Sequence, residues 1–166
     1  MQLLIRLTGD DMKDRLRELQ ETLYTDIPIT KHLGITVDSY DDERLTLKAP
    51  LEENINQKNY AFAGSLNALV TLAGWGLLWL VLKELDITAK IVIQDSVISY
   101  LLPVTRDFSA SCCKPDPIQI AKFENMLRKK GKARLELSAE IYKGEEVAVA
   151  FKGCYVAFLR ADTPKA

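Results

Sequence analysis

Apolar residues near the start of the chain recur with a helical period. An amphipathic helix over residues 10–24 is predicted by apolar positions spaced three and four residues apart, namely Met12, Leu16, Leu19 and Leu23. Thr8 or Asp10 suits the position that caps its N-terminus. Pro28 ends any continuation of this helix, because proline cannot donate a helical hydrogen bond.

Other segments alternate between apolar and polar residues, as strands with one exposed face do. Residues 34–38 and 44–49 predict a hairpin around a turn at Asp41 and Asp42. Residues 134–141 and 146–159 predict a second hairpin, turning at Lys143 and Gly144.

Three further elements follow from local signals. Residues 90–102 carry Ile and Val on both faces and stop at Pro103, which predicts a buried central strand. A short strand is expected over residues 108–113. Proline at the first helical position and glycine just past the last predict a helix between Pro117 and Gly131.

A run of eighteen residues without a charge extends from Ser65 to Leu82. This length approaches that of a membrane span. Its apolar surface is interrupted by polar and small residues, namely Ser65, Asn67, Thr71, Gly74 and Gly76. We therefore favour a core helix that a sheet covers on most sides.

Composition narrows the functional classes. The chain has 166 residues, a net charge of −1, three Cys and one His. The length fits a single domain over residues 1–166, and the even charge gives no general attraction to nucleic acid. A disulfide-built scaffold is excluded, and His32 has no second histidine for a two-histidine metal site. The N-terminal residues lack a secretory signal, so a cytoplasmic location without a membrane is expected.

Three stretches of sequence resemble the hotdog fold of acyl-thioester proteins. They are residues 54–76 (NINQKNYAFAGSLNALVTLAGWG), residues 99–108 (SYLLPVTRDF) and residues 25–35 (TDIPITKHLGI). Together they resemble the thioesterase domain found at the C-terminus of bacterial YiiD-type proteins, over nearly the whole chain. The resemblance implies an α+β hotdog fold: an antiparallel sheet of five to six strands wrapped around the long apolar helix.

The loop before the long helix departs from the pattern of that group. Where such loops commonly read Lys-Gly-Thr-x-Phe, this chain has residues 58–62, KNYAF. Asparagine tolerates the left-handed backbone conformation better than most residues, so a turn at Asn59 is still expected. Tyr60 in place of threonine is a bulkier change beside the expected substrate.

The resemblance places the chemistry at the start of the long helix. Free backbone N–H groups and the positive end of the helix dipole stabilise the oxyanion that forms when water attacks a thioester. Gly64 and Ser65 are the residues expected to polarise the carbonyl. The alternative is that Gly64 only starts a buried helix and that Ser65 caps it.

Further along the helix, Asn67, Thr71 and Gly74 form a polar-to-small stripe. This stripe is either a wall facing the thioester or a site of close packing. In similar thioesterases a carboxylate about two turns into the helix activates the water, and that position falls on Thr71. Threonine is no general base near neutral pH, so its hydroxyl would orient a water.

The loop supplies the remaining candidates. Asn59 is expected to act with Gly64, Ser65 and Thr71 in catalysis, while substrate binding is assigned to Asn56, Lys58, Phe62 and Asn67. Asn54 more simply satisfies its own turn. Asp95 is a possible base if it faces the cleft.

Other reactive residues have ordinary interpretations. His32 is expected to be structural or exposed, and Cys112 and Cys113 should point to opposite sides of a strand. A basic cluster at the end of the second long helix complements the helix dipole or docks a phosphate-bearing carrier; it comprises Arg128, Lys129, Lys130, Lys132 and Arg134.

The leading hypothesis is therefore a hydrolase of acyl-CoA or acyl-ACP thioesters that needs no cofactor or metal. A non-hydrolytic acyl-thioester binding or accessory protein is the alternative. Similar sheets pair across two subunits, so a homodimer or a dimer of dimers is expected, which also covers an open edge strand.

Overall fold

A computed structural model describes residues 9–159 of the chain. The helices are α1 (Gly9–Asp26), α2 (Ile29–His32), α3 (Ala63–Glu84) and α4 (Pro117–Lys130). The strands are β1 (Thr36–Tyr40), β2 (Arg44–Ala49), β3 (Ala89–Tyr100), β4 (Phe108–Cys113), β5 (Lys132–Lys143) and β6 (Glu146–Leu159). The predicted amphipathic helix is confirmed as α1; Asp10 lies in its first turn, and the proposed cap Thr8 lies outside the described residues.

The six strands form one sheet in the order β1-β2-β4-β5-β6-β3, with every neighbouring pair antiparallel. Both predicted hairpins are present. Asp42 turns the first with φ 71°, and Gly144 turns the second with φ 63°. Helix α4 begins after Asp116, whose side chain accepts a hydrogen bond from the Gln119 N–H, and ends at Gly131 with φ 69°.

The sheet wraps around α3, which packs against β2, β3, β4, β5 and β6. Its apolar side chains form the centre of the core, together with the inward residues of β2, β4, β5 and β6. This helix is long and apolar enough to cross a membrane, but 72% of its apolar window is buried inside the domain. That burial agrees with the core helix predicted from the sequence.

One strand prediction was wrong in position. Residues 89–100 form one of the two edges of the sheet, where β3 pairs with β6 alone among the described strands, and they are not a buried central strand. Apolar side chains on this edge are exposed, Val97 to 72%. A central strand and an apolar edge strand share the same Ile- and Val-rich pattern, so periodicity alone does not distinguish them.

Strand β6 packs closely against α3 at Tyr155. Tyr155 is fully buried, and its hydroxyl donates a 2.6 Å hydrogen bond to the backbone carbonyl of Thr71. A Cβ atom on Gly74 would lie 2.3 Å from this hydroxyl oxygen. Of the two alternatives for the stripe of Asn67, Thr71 and Gly74, close packing therefore applies at Gly74. A glycine is required there because it leaves room for the tyrosine ring.

Replacing Gly74 with alanine is expected to destabilise the protein. Alanine favours a helix by about 1 kcal/mol over glycine, but the clash with Tyr155 forces a buried ring to move. We expect a net loss of about 2 kcal/mol in the free energy of unfolding, measured by urea denaturation. The control Gly9→Ala, where no atom lies within 4 Å of the added methyl, should change stability by less than about 0.5 kcal/mol. Equal midpoints for the two variants would contradict this account.

Candidate active site

A pocket of about 280 Å³ opens beside the N-terminus of α3. It lies between the loop that precedes the helix and the turn that follows β3. Its walls are formed by Asn56, Tyr60, Ala61, Ala63, Leu66 and residues 100–104. A mostly apolar cavity with a few polar groups at one end suits a ligand that has an acyl chain and a polar head.

The loop is held in shape by its own backbone and by Asn56. Ile55 and Ala61 form an isolated bridge, and the side-chain oxygen of Asn56 accepts hydrogen bonds from the N–H groups of Lys58 (2.8 Å) and Tyr60 (3.2 Å). Asn59 has φ 60°, which confirms the predicted left-handed turn. Because the oxygen of Asn56 serves the loop, a ligand would meet its amide nitrogen.

Asn54 anchors the base of this loop. It is 2% exposed, and its amide nitrogen donates to the carbonyls of Leu33 (2.8 Å) and Pro50 (2.7 Å). Its backbone carbonyl accepts a 2.7 Å hydrogen bond from the Phe62 N–H. Asn54 therefore has a structural role, but it bonds the Leu33 carbonyl beyond its own turn as well as the Pro50 carbonyl. Through Phe62 the residue also fixes where α3 begins.

The first turn of α3 offers two backbone donors. The N-cap residue is Phe62, with no side-chain cap, and its carbonyl accepts from the N–H groups of Ser65 (3.0 Å) and Leu66 (3.1 Å). Within the described part of the chain, no backbone acceptor pairs with the N–H groups of Ala63 or Gly64. These two groups, backed by the helix dipole, are the donors available to an anionic oxygen.

This geometry changes the role expected for Ser65. It is the third residue of the helix and is buried, so it does not cap the helix, and its N–H is already paired. Gly64 is exposed at the position predicted for it. A Cβ atom there would lie 2.3 Å from the ring of Phe62, so glycine allows that exposed ring to lie against the helix start.

Asn67 and Thr71 lie one turn apart on α3 and contact each other. The Thr71 hydroxyl donates a 3.3 Å hydrogen bond to the Asn67 side-chain oxygen, and both residues are half-buried. Neither belongs to the walls of the pocket, whereas Asn56 does. The loop residues Lys58 and Asn59 are exposed at the tip of the turn.

Sequence reasoning did not select Tyr100, although it lies within the stretch 99–108 that was part of the resemblance. Tyr100 ends β3, and its hydroxyl lies 3.3 Å from the Ala63 carbonyl oxygen. In the described part of the chain, the titratable side chains that line the pocket are Tyr60 and Tyr100. No carboxylate is among them; Asp95 is exposed on β3 and lies near Gln94.

The remaining reactive residues lie elsewhere. His32 is exposed at the end of α2. Cys112 is buried and Cys113 is exposed, so the two point to opposite sides as predicted. Burial raises the pKa of the Cys112 thiol to about 12, which leaves it protonated and unreactive at neutral pH.

The basic cluster lies at the opposite end of α3 from the pocket. The Arg128 guanidinium donates to the Leu85 carbonyl just past the C-terminus of α3, and it pairs with Glu124. Arg134 donates to Gln94, and Lys132 lies 5.0 Å from the centre of the Phe158 ring. Arg128, Lys129 and Lys130 thus lie in the last turn of α4, where cations suit the helix dipole, while Lys132 and Arg134 belong to β5.

A six-stranded antiparallel sheet wrapped around one long buried helix is the architecture of hotdog-fold thioesterases. The chain matches a family model over residues 16–159. It belongs to the YiiD_C family, described as "Putative thioesterase (yiiD_Cterm)", which confirms the resemblance noted in the sequence.

Solved structures agree with this assignment. A protein of unknown function from Chlorobaculum tepidum TLS is 34% identical, with a TM-score of 0.86 and coverage of 93% of this chain and 98% of that one. A protein from Shewanella oneidensis described as a "putative thioesterase" is 32% identical, with a TM-score of 0.81 and coverage of 90% of this chain and 100% of that one. A thioesterase from Haemophilus influenzae shares the fold at 12% identity, with a TM-score of 0.66 and coverage of 90% and 94%.

Replacing Asn54 with aspartate tests its anchoring role. The change removes two hydrogen-bond donors and directs a carboxylate at two carbonyl oxygens in a buried position. We expect a loss of about 3 kcal/mol in the free energy of unfolding, measured by urea denaturation. Asn125→Asp, on the exposed face of α4, should leave stability within about 0.5 kcal/mol. If both variants unfolded at the same urea concentration, Asn54 would not anchor the loop.

Proposed function

We propose that the protein hydrolyses an acyl thioester carried by coenzyme A or by acyl carrier protein. The observation that carries this proposal is the pocket beside the unpaired N–H groups of Ala63 and Gly64. The thioester carbonyl oxygen lies at these two donors, and the acyl group lies along the apolar wall of Leu66, Leu102 and Val104.

The reaction follows from that placement. The oxygen of a water molecule adds to the carbonyl carbon, and the carbonyl electron pair moves to the oxygen held by the two N–H groups. Collapse of this oxyanion breaks the carbon–sulfur bond, leaving the carboxylic acid, while the proton released by the water ends on the departing thiolate. The N–H groups at the helix start are already oriented, so they stabilise the negative charge of the oxyanion without reorganising when it forms.

The polar residues near the pocket take supporting roles. The Asn56 amide nitrogen binds the polar part of the substrate, and Lys58 lies at the exposed loop tip where a carrier phosphate would pass. Thr71 and Asn67 lie deeper along α3, outside the walls of the pocket, and pair with each other rather than with the substrate. Asn59 acts through the backbone turn that shapes the loop.

Replacing Ala63 with proline removes one donor without breaking the helix. Proline is favoured at the first helical position, and the preceding Phe62 already has φ −65° and ψ 132°, which proline requires of its neighbour. We expect kcat to fall about a hundredfold or more with the thermal midpoint maintained. The assay is thiol release from acetyl, octanoyl and palmitoyl thioesters of coenzyme A and acyl carrier protein.

Two controls sharpen this test. Ala63→Gly keeps the N–H group, so it should retain far more activity than Ala63→Pro. All variants carry Cys113→Ser, because that exposed thiol would react with the detection reagent. Equal activity of the proline and glycine variants would refute the oxyanion role of Ala63, and a wild-type protein that releases no thiol from any substrate would refute hydrolysis.

A non-hydrolytic acyl-thioester binding protein is the second candidate. The observation that favours it is that no carboxylate lines the pocket within the described residues. Calorimetry that showed tight binding of these thioesters without thiol release would select this candidate.

We also propose that the sheet continues across two subunits through β3, giving a homodimer. Support comes from the exposed edge of β3, where Val92, Ile93 and Val97 are at least 37% exposed and one side of the strand is unpaired among the described strands. An apolar edge of this kind invites pairing with another strand.

Val97→Lys is expected to weaken this dimer, because two desolvated ammonium groups would meet near the paired edges. Light scattering after gel filtration should shift from a dimer toward the 18.7 kDa monomer. The control Ile118→Lys alters a side chain of similar exposure on α4, 68% against 72%, and should leave the dimer intact. A monomeric wild-type protein, or equal masses for the two variants, would overturn the proposal.

A further inference from the structure

Tyr100 places its side chain beside the pocket at the end of β3. It is the last residue of β3, and its side chain is on the face of the sheet that covers α3, because its register partner Val149 is buried there. The neighbouring inward residue Ile98 pairs with Phe151, which is also buried. Tyr100 itself is 47% exposed and lines the pocket.

The phenol hydroxyl of Tyr100 lies at the first turn of α3. Its oxygen is 3.3 Å from the Ala63 carbonyl oxygen. Since the carbonyl and the N–H of Ala63 belong to one residue, the hydroxyl lies at the same turn as the unpaired N–H, within roughly 7 Å of it. A thioester carbonyl bound at this turn is therefore offered N–H donors from the helix and a hydroxyl donor from the end of β3.

The hydrogen bond that the hydroxyl makes within the protein is weak. Hydroxyl donors ordinarily lie about 2.7–2.8 Å from an oxygen acceptor, and this contact is longer by about half an ångström. The Ala63 carbonyl also has its own helical partner in the next turn. The cost of turning the hydroxyl from this carbonyl to a ligand is therefore small.

We propose that Tyr100 is a catalytic residue whose hydroxyl donates a hydrogen bond to the thioester carbonyl oxygen, beside the N–H groups of Ala63 and Gly64. This inference rests on the proposed function for the identity of the ligand. The hydroxyl transfers no proton in this role. It adds a third donor on the side of the oxygen that faces the sheet.

Tyr60, the other phenol of the pocket, is placed differently. It belongs to the loop, its backbone N–H is held by Asn56, and it is 40% exposed at the pocket rim. The structure places only the Tyr100 hydroxyl against the backbone of the first turn of α3 within the described residues. The two tyrosines therefore have different roles although they line the same cavity.

The kinetic test compares Tyr100→Phe with wild type. Loss of one oxyanion donor costs about a hundredfold to a thousandfold in kcat when the donor is fully enclosed. For an exposed phenol we expect at least a tenfold loss, with KM changed less than about threefold. The control Tyr142→Phe removes an exposed hydroxyl on β5, where it bonds Glu140, and should retain wild-type kinetics. Wild-type kcat in Tyr100→Phe would overturn the proposal.

A binding test separates this proposal from hydrolysis itself. The probes are an octanoyl-CoA analogue in which a methylene replaces sulfur and the carbonyl remains, and octyl-CoA, a thioether without the carbonyl. By calorimetry, Tyr100→Phe should weaken the first at least fivefold and leave the second unchanged. A purely structural role for Tyr100 would weaken both equally and would overturn the proposal.

The combined outcomes are distinguishable. If the wild-type protein binds the ketone analogue more tightly than Tyr100→Phe but hydrolyses no thioester, the proposed function fails and the role of Tyr100 as a carbonyl donor stands. If it hydrolyses thioesters and Tyr100→Phe matches it in both assays, the proposed function stands and the role of Tyr100 fails. If the wild-type protein neither hydrolyses thioesters nor binds either probe, both are refuted.

Discussion

The contact between Tyr155 and α3 is the constraint on which the arrangement of this domain depends. A helix of twenty-two residues lies in a sheet that curves around it, and its depth is set where the tyrosine hydroxyl meets the Thr71 carbonyl. Gly74 permits this approach, because any side chain would overlap the ring. Burial also raises the pKa of Tyr155 well above the ordinary value, so the hydroxyl remains a donor throughout the neutral range. The fixed depth of α3 in turn determines where its N-terminus emerges.

The N-terminus of α3 adjoins the preceding loop, which is held in place by contacts of its own. Asn54 holds the loop base through the Leu33 and Pro50 carbonyls, and its own carbonyl accepts from Phe62 at the last residue before the helix. On the other side, the Val104 carbonyl accepts a 2.8 Å hydrogen bond from the Ala61 N–H. The pocket is thus framed by segments distant in sequence. The hydrogen-bond donors of the pocket are largely backbone N–H groups. Because they are already held in place, they can stabilise an oxyanion without a charged side chain.

Much of the fold could be predicted because local signals agreed with one another. Alternation in residues 134–141 and 146–159, proline and glycine at the ends of α4, and the uncharged run of α3 each determine an element from nearby residues. The position of β3 in the sheet could not be predicted this way, because sheet order depends on contacts between distant strands.

The same limit applies to the residues of the candidate site. The position of Gly64 at the helix start could be predicted because glycine there is a local signal, whereas Tyr100 approaches Ala63 from 37 residues away. Ser65 was expected to polarise the carbonyl, with a cap as the alternative, but the helix begins at Ala63 after the N-cap Phe62, and the Ser65 N–H is bonded to the Phe62 carbonyl.

The order of the strands has a consequence for how this chain can fold. Strand β3 pairs with β6, the last of the described strands along the chain, while the strand that follows it in sequence, β4, pairs with β2 and β5. Until β6 is available, the apolar residues of β3 have no partner strand among the described elements of their own chain. Pairing β3 with β6 closes a loop of nearly fifty residues. Closing this loop costs conformational entropy, so the pair forms late in folding. One of the two edge strands of the finished sheet is therefore also the described strand that waits longest for its partner during synthesis.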